Sequence, residues 1–225
     1  MKIHTMPQGS AEWLAVRLGR ITASEADSLV SPLGKIRTGD GPRTFLFKKV
    51  CEKFLGYQQD AGSTFLMDQG KIGEDIGIPW YSFNFDRPVT KVGFIETDDF
   101  RCGCSPDCLV ESDGGVELKA PSAPVHLRYL TDGVIPSEHI LQVQFCLWVT
   151  QRKWWDFVSF SRVMPCLVVR VEPDAKIQAA ISEAVKDFST KFDAIYGKLA
   201  ALRDAENAEK TAEYYRAEGI TPPAP

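Results

Sequence analysis

Nine residues separate Asp107 from Glu117-Leu118-Lys119, within the run Ser105-Pro106-Asp107-Cys108-Leu109-Val110-Glu111-Ser112-Asp113-Gly114-Gly115-Val116-Glu117-Leu118-Lys119. Leu109-Val110 and Val116-Glu117-Leu118 read as short strands. Ser112-Asp113-Gly114-Gly115 between them is turn chemistry, with glycine expected to supply the positive φ of a tight turn. Such a hairpin folds Asp107 back beside Glu117, so that two carboxylates can converge on one cation. Oxygen ligands with no histidine nearby favour Mg²⁺ or Mn²⁺ over zinc. Lys119 lies on the same strand face as Glu117 and can touch the same attacking water or phosphate. The chemistry these three groups support is metal-dependent cleavage of a phosphodiester. Alone, the spacing is loose, and an exposed hairpin that happens to carry charges would share it.

The elements that must position these groups can be read in outline. Ser10 caps a short helix over 11–18, which Gly19 ends. Thr22-Ala23-Ser24-Glu25 matches a capping box opening a second helix over 22–30. A Pro/Gly/Ser loop over 31–41 carries Lys35 and Arg37, and an amphipathic helix follows over 44–54. Residues 67–85 form a helical stretch punctuated by Gly70, Gly73 and Gly77. Strands at 89–96 and 100–104 lead into the hairpin. Ser137 caps a helix to about Thr150, whose Ile140, Val143 and Leu147 form an apolar stripe. Strands at 154–160 and 166–171 precede a long amphipathic helix from Asp174 to Leu199. A charged continuation reaches Gly219, and Thr221–Pro225 is expected to be disordered. This order predicts an α/β fold with a mixed central sheet flanked by helices on both faces. A single domain over 1–200 would carry a charged extension over 201–225.

Composition narrows the function classes. With 225 residues and 44% hydrophobic content, the chain can bury a full core. It shows no apolar run of the ~20 residues that span a bilayer and no signal-peptide core, so a cytoplasmic, membrane-free protein is expected. Six cysteines are ordinary usage for a reducing compartment. Cys102, Cys104 and Cys108 cluster, but without a second half they fit strand positions as small hydrophobes. His4, His126 and His139 form no spaced pair. The net charge of −4 hides an asymmetry: residues 1–60 carry nine Lys/Arg against six acids, and residues 96–117 carry seven acids against Arg101 alone. A basic segment for phosphates and an acidic one for cations suit a nucleic-acid enzyme.

Other residues fit the same chemistry. Glu74, in Gly70-Lys71-Ile72-Gly73-Glu74, can bring a third carboxylate from a helix whose glycines allow close packing, although a lone helical glutamate is more often simply solvated. Gln142 sits among apolar neighbours in a helix that reads as buried, where an amide needs a partner. It can bond a metal water or phosphate, or serve only structure; Gln144 is the weaker candidate. In Arg17-Leu18-Gly19-Arg20-Ile21-Thr22-Ala23-Ser24-Glu25, the expected helix N-terminus with Thr22, Ser24 and Arg17 makes an anion site. The bland reading there is an ordinary capped helix.

Together these pieces resemble the phage lambda exonuclease family, the YqaJ-type viral recombinase nucleases. The matching motifs are Arg17-Leu18-Gly19 with Ile21-Thr22-Ala23-Ser24-Glu25, Gly70-Lys71 with Glu74, Ser105-Pro106-Asp107, Glu117-Leu118-Lys119 in PD-(D/E)xK style, and Gln142-Val143-Gln144 with Trp148-Val149-Thr150. They fall in the family's order over roughly residues 10–172. The resemblance implies a restriction-endonuclease-like core and a Mg²⁺-dependent 5′→3′ exonuclease acting on duplex DNA ends, with Mn²⁺ able to substitute. It also implies a homotrimeric ring around DNA and a single-strand annealing recombinase as partner. Asp107, Glu117 and the Leu118 carbonyl would be metal ligands, with Lys119 assisting the nucleophile. Glu74 and Gln142 would complete the catalytic shell, and Arg17, Thr22 and Ser24 would hold the 5′-phosphate. Met67 falls where the family places an apolar residue near the separating strands. Two positions depart from the pattern: Cys108 replaces the glycine usual after Pro-Asp, and Ala120 replaces a frequent cysteine.

Two rivals share parts of this pattern. A restriction-type DNA endonuclease has the same Asp…Glu-x-Lys core, but no base-reading module is recognisable. A catalytically silent DNA-end-binding protein would keep the basic segment, yet here every motif acid is present. An iron–sulfur nuclease lacks its separated set of four cysteines.

Overall fold

The strands pair in two sheets that meet where the chain passes from Cys104 to Cys108. In the computed structural model, residues 1–58, 65–99 and 101–218 are described, with the backbone alone for 65–72, 212, 214 and 215. The strands are β1 Lys2–His4, β2 Ile21–Thr22, β3 Val89–Thr90, β4 Phe94–Glu96, β5 Cys102–Cys104, β6 Cys108–Val110, β7 Gly114–Lys119, β8 Trp154–Ser159 and β9 Leu167–Val171. The first sheet has the order β1-β4-β5-β2 and the second β3-β6-β7-β8-β9. Each is mixed, with parallel pairs β2–β5 and β7–β8. The expected mixed sheet is therefore present in two parts, and Ser105-Pro106-Asp107 is one of the short links between them, residues 91–93 being another.

Among the described residues six α-helices pack around the sheets: α1 Ala11–Arg17, α2 Asp40–Leu55, α3 Phe65–Phe85, α4 Ala123–Asp132, α5 Ser137–Thr150 and α6 Ala175–Glu218. Period-2 alternation divides the second sheet's faces. Val116, Leu118, Trp154 and Val158 pack with Ile78 and Tyr81 of α3, whereas Trp155 joins the core of α2, α5 and α6. Between these layers Asp156 accepts Tyr81's hydroxyl at 2.6 Å and Arg170 at 2.8 and 2.9 Å. Cys102, Cys104 and Cys108 are fully buried, free and in strands, as small hydrophobes would be. No helix among the described residues is long and apolar enough to cross a membrane.

Several local expectations change. The hairpin glycines do not take positive φ; Glu111 does, at 49°. Gly114 and Gly115 instead lie in β7, paired with Trp154 and Trp155. A Cβ would fall 2.0 Å from Trp154 Cζ2 at Gly114, and 2.4 Å from Trp155 Cζ3 at Gly115. These glycines make room for indoles rather than for a turn. Gly115→Ala should therefore destabilise the fold by about 1–3 kcal/mol through overpacking; an unchanged urea midpoint would show that the ring moves freely.

Residues 22–30 form only a six-residue 3₁₀ helix, Ala23–Ser28, and Thr22 makes no capping bond to its backbone. Thr22 bonds the Glu25 carboxylate instead, at 2.7 Å, which diverts both halves of the expected capping box. Ser137 is the first helical residue, not the cap, which is Pro136. α2 begins at Asp40 rather than 44, after Gly39 at φ 90°. The expected strand over 89–96 is split between the sheets, and its successor begins at Cys102; Phe100 lies outside the described residues. β1, β2 and α4 had no counterpart in the sequence reading. α6 continues without a break to Glu218, and the tail over 219–225 lies outside the described residues, as does the Met67 side chain.

Candidate active site

The hairpin does bring the acids together. β6 and β7 pair with Cys108 opposite Val116, and Asp107 Oδ2 accepts the Leu118 N–H at 2.6 Å. Glu117 and Lys119 share a face of β7, and their side chains pair at 2.5 Å (Nζ to Oε1). α5 covers that face: Gln142 Nε2 donates to the same Glu117 oxygen at 2.5 Å. Glu117 is 1% exposed, and its other oxygen, Oε2, is buried with no hydrogen-bond partner among the described residues. Gln144 points away and is structural, accepting Asp174's N–H and donating to the Glu172 carbonyl.

Glu74 reaches the group from α3, on the opposite face. α3 can approach because Gly73 has no side chain: a Cβ there would fall 2.1 Å from Ala120 Cβ. At Gly77 a Cβ would fall 2.6 Å from Leu118 Cδ1. Glu74 and Asp107 both border a cavity of about 260 Å³ that also exposes Lys91. A larger groove of about 560 Å³ between α2 and α6 has apolar and basic walls and none of these acids.

Three carboxylates therefore surround one ammonium. Burial, and then the negative charge of Glu117, push the Asp107 carboxyl well above the usual range, against the pull of Lys119. Burial also raises Glu74, with Lys119 opposing and Glu117 adding to the rise. Burial works against the Lys119 charge, but Glu117 and Asp107 outweigh it and hold the ammonium above its ordinary value. Lys119 is thus a cation at neutral pH. His139, one turn before Gln142, is pushed down to about 4 by burial and then by the Lys119 charge, and is neutral.

This donor set fits a divalent cation. The excess of carboxylates and the unpartnered Glu117 oxygen call for a positive partner. No group of three or more His, Cys, Asp and Glu side chains among the described residues forms a metal cage. A cation would draw on Asp107, Glu117, the Leu118 carbonyl and water, which suits Mg²⁺ because it keeps several of its waters.

Arg17 stands at the other end of the Ser105–Asp107 link. Its Nη1 donates to Ser105 Oγ at 3.4 Å, and Trp13 Nε1 donates to the same oxygen at 2.8 Å. The guanidinium lies 4.0 Å over the Trp13 ring, and its Nε is buried without a partner among the described residues. Ser24 Oγ is 3.3 Å from Thr22 Oγ1. The 3₁₀ helix is too short to offer a helix-dipole anion site, so any anion affinity here resides in side chains. Sequence reasoning gave no role to Ser105 or Trp13. Ser105 belongs to the Ser105-Pro106-Asp107 motif, but nothing in its type signals the contact with Arg17.

Two acids and a lysine at the end of a hairpin strand, with helices on both faces of a mixed sheet, define a restriction-endonuclease-like architecture. Residues 12–153 match the YqaJ-like viral recombinase domain, and the chain belongs to that family. No curated protein matches it. Among solved structures it is similar to an alkaline exonuclease (LHK-Exo) from Laribacter hongkongensis, at TM-score 0.76 and 27% identity over 88% of this chain and 100% of that one. The same exonuclease in complex with dAMP matches at TM-score 0.75 and 28% identity, over the same shares of the two chains. A phage related exonuclease from Haemophilus somnus 129PT shares the fold at TM-score 0.58 and 14% identity, over 80% and 96% of the two chains. The family and the alkaline exonuclease together support a nuclease.

Proposed function

We propose that the protein is a Mg²⁺-dependent 5′→3′ exonuclease that degrades one strand of linear duplex DNA from 5′-phosphorylated ends. The observation that carries this reading is the Asp107–Glu117–Lys119–Gln142 cluster, partly open to solvent around a buried Glu117 with an unpartnered oxygen, in a chain of the YqaJ-like family. Asp107, Glu117 and the Leu118 carbonyl would hold Mg²⁺, or Mn²⁺ in its place. The bound cation supplies an activated water and stabilises charge on the phosphate oxygens. Gln142 fixes one Glu117 oxygen and leaves the other to the metal. Lys119, already protonated, steadies charge on the scissile phosphate or orients the water rather than accepting a proton. Glu74 lines the approach from α3. Arg17, Thr22 and Ser24, with Ser105, would take the terminal phosphate, and Met67 would stand near the separating strands. Work inside the cytoplasm, as a homotrimeric ring and with a single-strand annealing recombinase, belongs to the same proposal.

End-labelled duplex DNA tests this reading. Metal-dependent loss of label from 5′-phosphorylated ends, much slower from 5′-hydroxyl ends, is expected. Discrete internal cuts would select a restriction-type endonuclease, and binding without cleavage a silent end-binding protein. Arg17→Ala should remove most of the 5′-phosphate preference while retaining metal-dependent cleavage. A charge-assisted contact of this kind is worth roughly 1.5–3 kcal/mol, or about ten- to a hundredfold in rate. An unchanged preference in Arg17→Ala would sink the pocket assignment.

A further inference from the structure

Arg17, Thr22 and Ser24 share their corner of the molecule with a hidden ammonium and two carboxylates. Lys49, on α2, is 1% exposed and lies 2.9 Å from Glu25 Oε1 and 3.0 Å from Glu52 Oε2. Glu52 is buried, also accepts the Gly19 N–H at 3.3 Å, and is fixed in place. Glu25 is a quarter exposed, and its second oxygen takes the Thr22 hydroxyl at 2.7 Å. Both carboxylates act electrostatically on Arg17. Among these four groups two cations and two anions cancel, so the charge of Arg17 and Lys49 is offset before a dianion arrives.

An arriving phosphate needs what Glu25 already holds, a hydroxyl and an ammonium, and both anions accept such donors with oxygen. The geometry points to Glu25 as a specificity-tuning residue of the terminal-phosphate pocket. Its carboxylate pairs with Thr22 and Lys49 and yields them to the 5′-phosphate of a DNA end. This rests on the 5′-phosphate reading proposed above. Lys49 is then a reserve cation, kept desolvated by Glu52 and uncovered when Glu25 withdraws. The exchange lowers the affinity of the pocket, which lets each newly made end be released. A purely structural role, in which the Glu25–Lys49–Glu52 triad ties the 3₁₀ helix to α2, predicts an effect on stability alone.

The test uses Glu25, because removing Lys49 would strand two buried carboxylates. Glu25→Gln keeps the shape and one acceptor oxygen, for either Lys49 or Thr22, but loses the charge. The full-length protein is titrated by fluorescence anisotropy in EDTA against two duplexes that differ only in a 5′-phosphate or 5′-hydroxyl. Wild type should favour the phosphorylated end, and Glu25→Gln should raise that affinity ratio by about three- to tenfold, the scale of one removed like charge near a surface. Should Glu25→Gln fail to fold, Glu25→Asp, which retracts the charge from both donors, should raise the ratio in the same direction. A wild-type ratio of one would sink the phosphate pocket and this proposal with it. A wild-type preference that the variant leaves unchanged or lowers would overturn only the role of Glu25.

Discussion

Asp107→Asn and Glu117→Gln are each expected to slow digestion of duplex DNA by at least about a thousandfold, since each would remove a ligand from the proposed metal site. Asp107→Asn should also make the metal-free protein more heat-stable. Burial and Glu117 raise the folded-state Asp107 pKa above its unfolded value. The folded state then holds the proton more tightly, so stability falls as pH rises from the ordinary carboxylate value towards the raised one, and the loss is complete above it. Asparagine abolishes that loss, and each kcal/mol recovered would lift the melting temperature by about 2–4 °C in a chain of this size. The gain should be present in EDTA at about pH 8 and vanish near or below about pH 4. Near wild-type digestion by either variant would refute the site; a melting temperature unchanged at pH 8 would refute its electrostatics.

Lys119→Ala should lower the single-turnover rate by about a hundred- to a thousandfold at saturating Mg²⁺, the usual effect of losing one fixed group that stabilises developing charge. An ammonium cannot ligate a metal, and at 2.5 Å from Glu117 it is held protonated. Its loss should therefore persist however much metal is added. A defect that disappears at high Mg²⁺ would show that Lys119 serves only to shape Glu117.

The site was more legible in the sequence than the frame around it. Asp107, Glu117 and Lys119 lie on one hairpin, so local spacing fixes their approach, and Gln142 follows from an amide enclosed by apolar neighbours in a helix. β1 and β2 could not be read because two- and three-residue strands carry too little periodicity to register; their partners, β4 and β5, are far away in sequence. The capping box failed because Thr22 and Glu25 bond each other, and Glu25 also reaches Lys49 on α2, a tertiary competitor invisible locally. Gly114 and Gly115 were read as turn residues, but their reason is two indoles some forty positions away. Trp13 and Arg17 already meet one turn apart within α1, but Ser105 joins them only once the first sheet has formed.

The close approach of α3 to β7 bears on any attempt to transplant this chemistry. A designer who copied Asp107, Glu117, Lys119, Gln142 and Glu74 onto another scaffold would have every polar group and still lack the site. Glu74 arrives where it does because Gly73 and Gly77 present only hydrogens to Ala120 and Leu118. One methyl group there would push the helix, and its carboxylate, away from the other two acids. A faithful graft must carry those empty positions along with the charged ones.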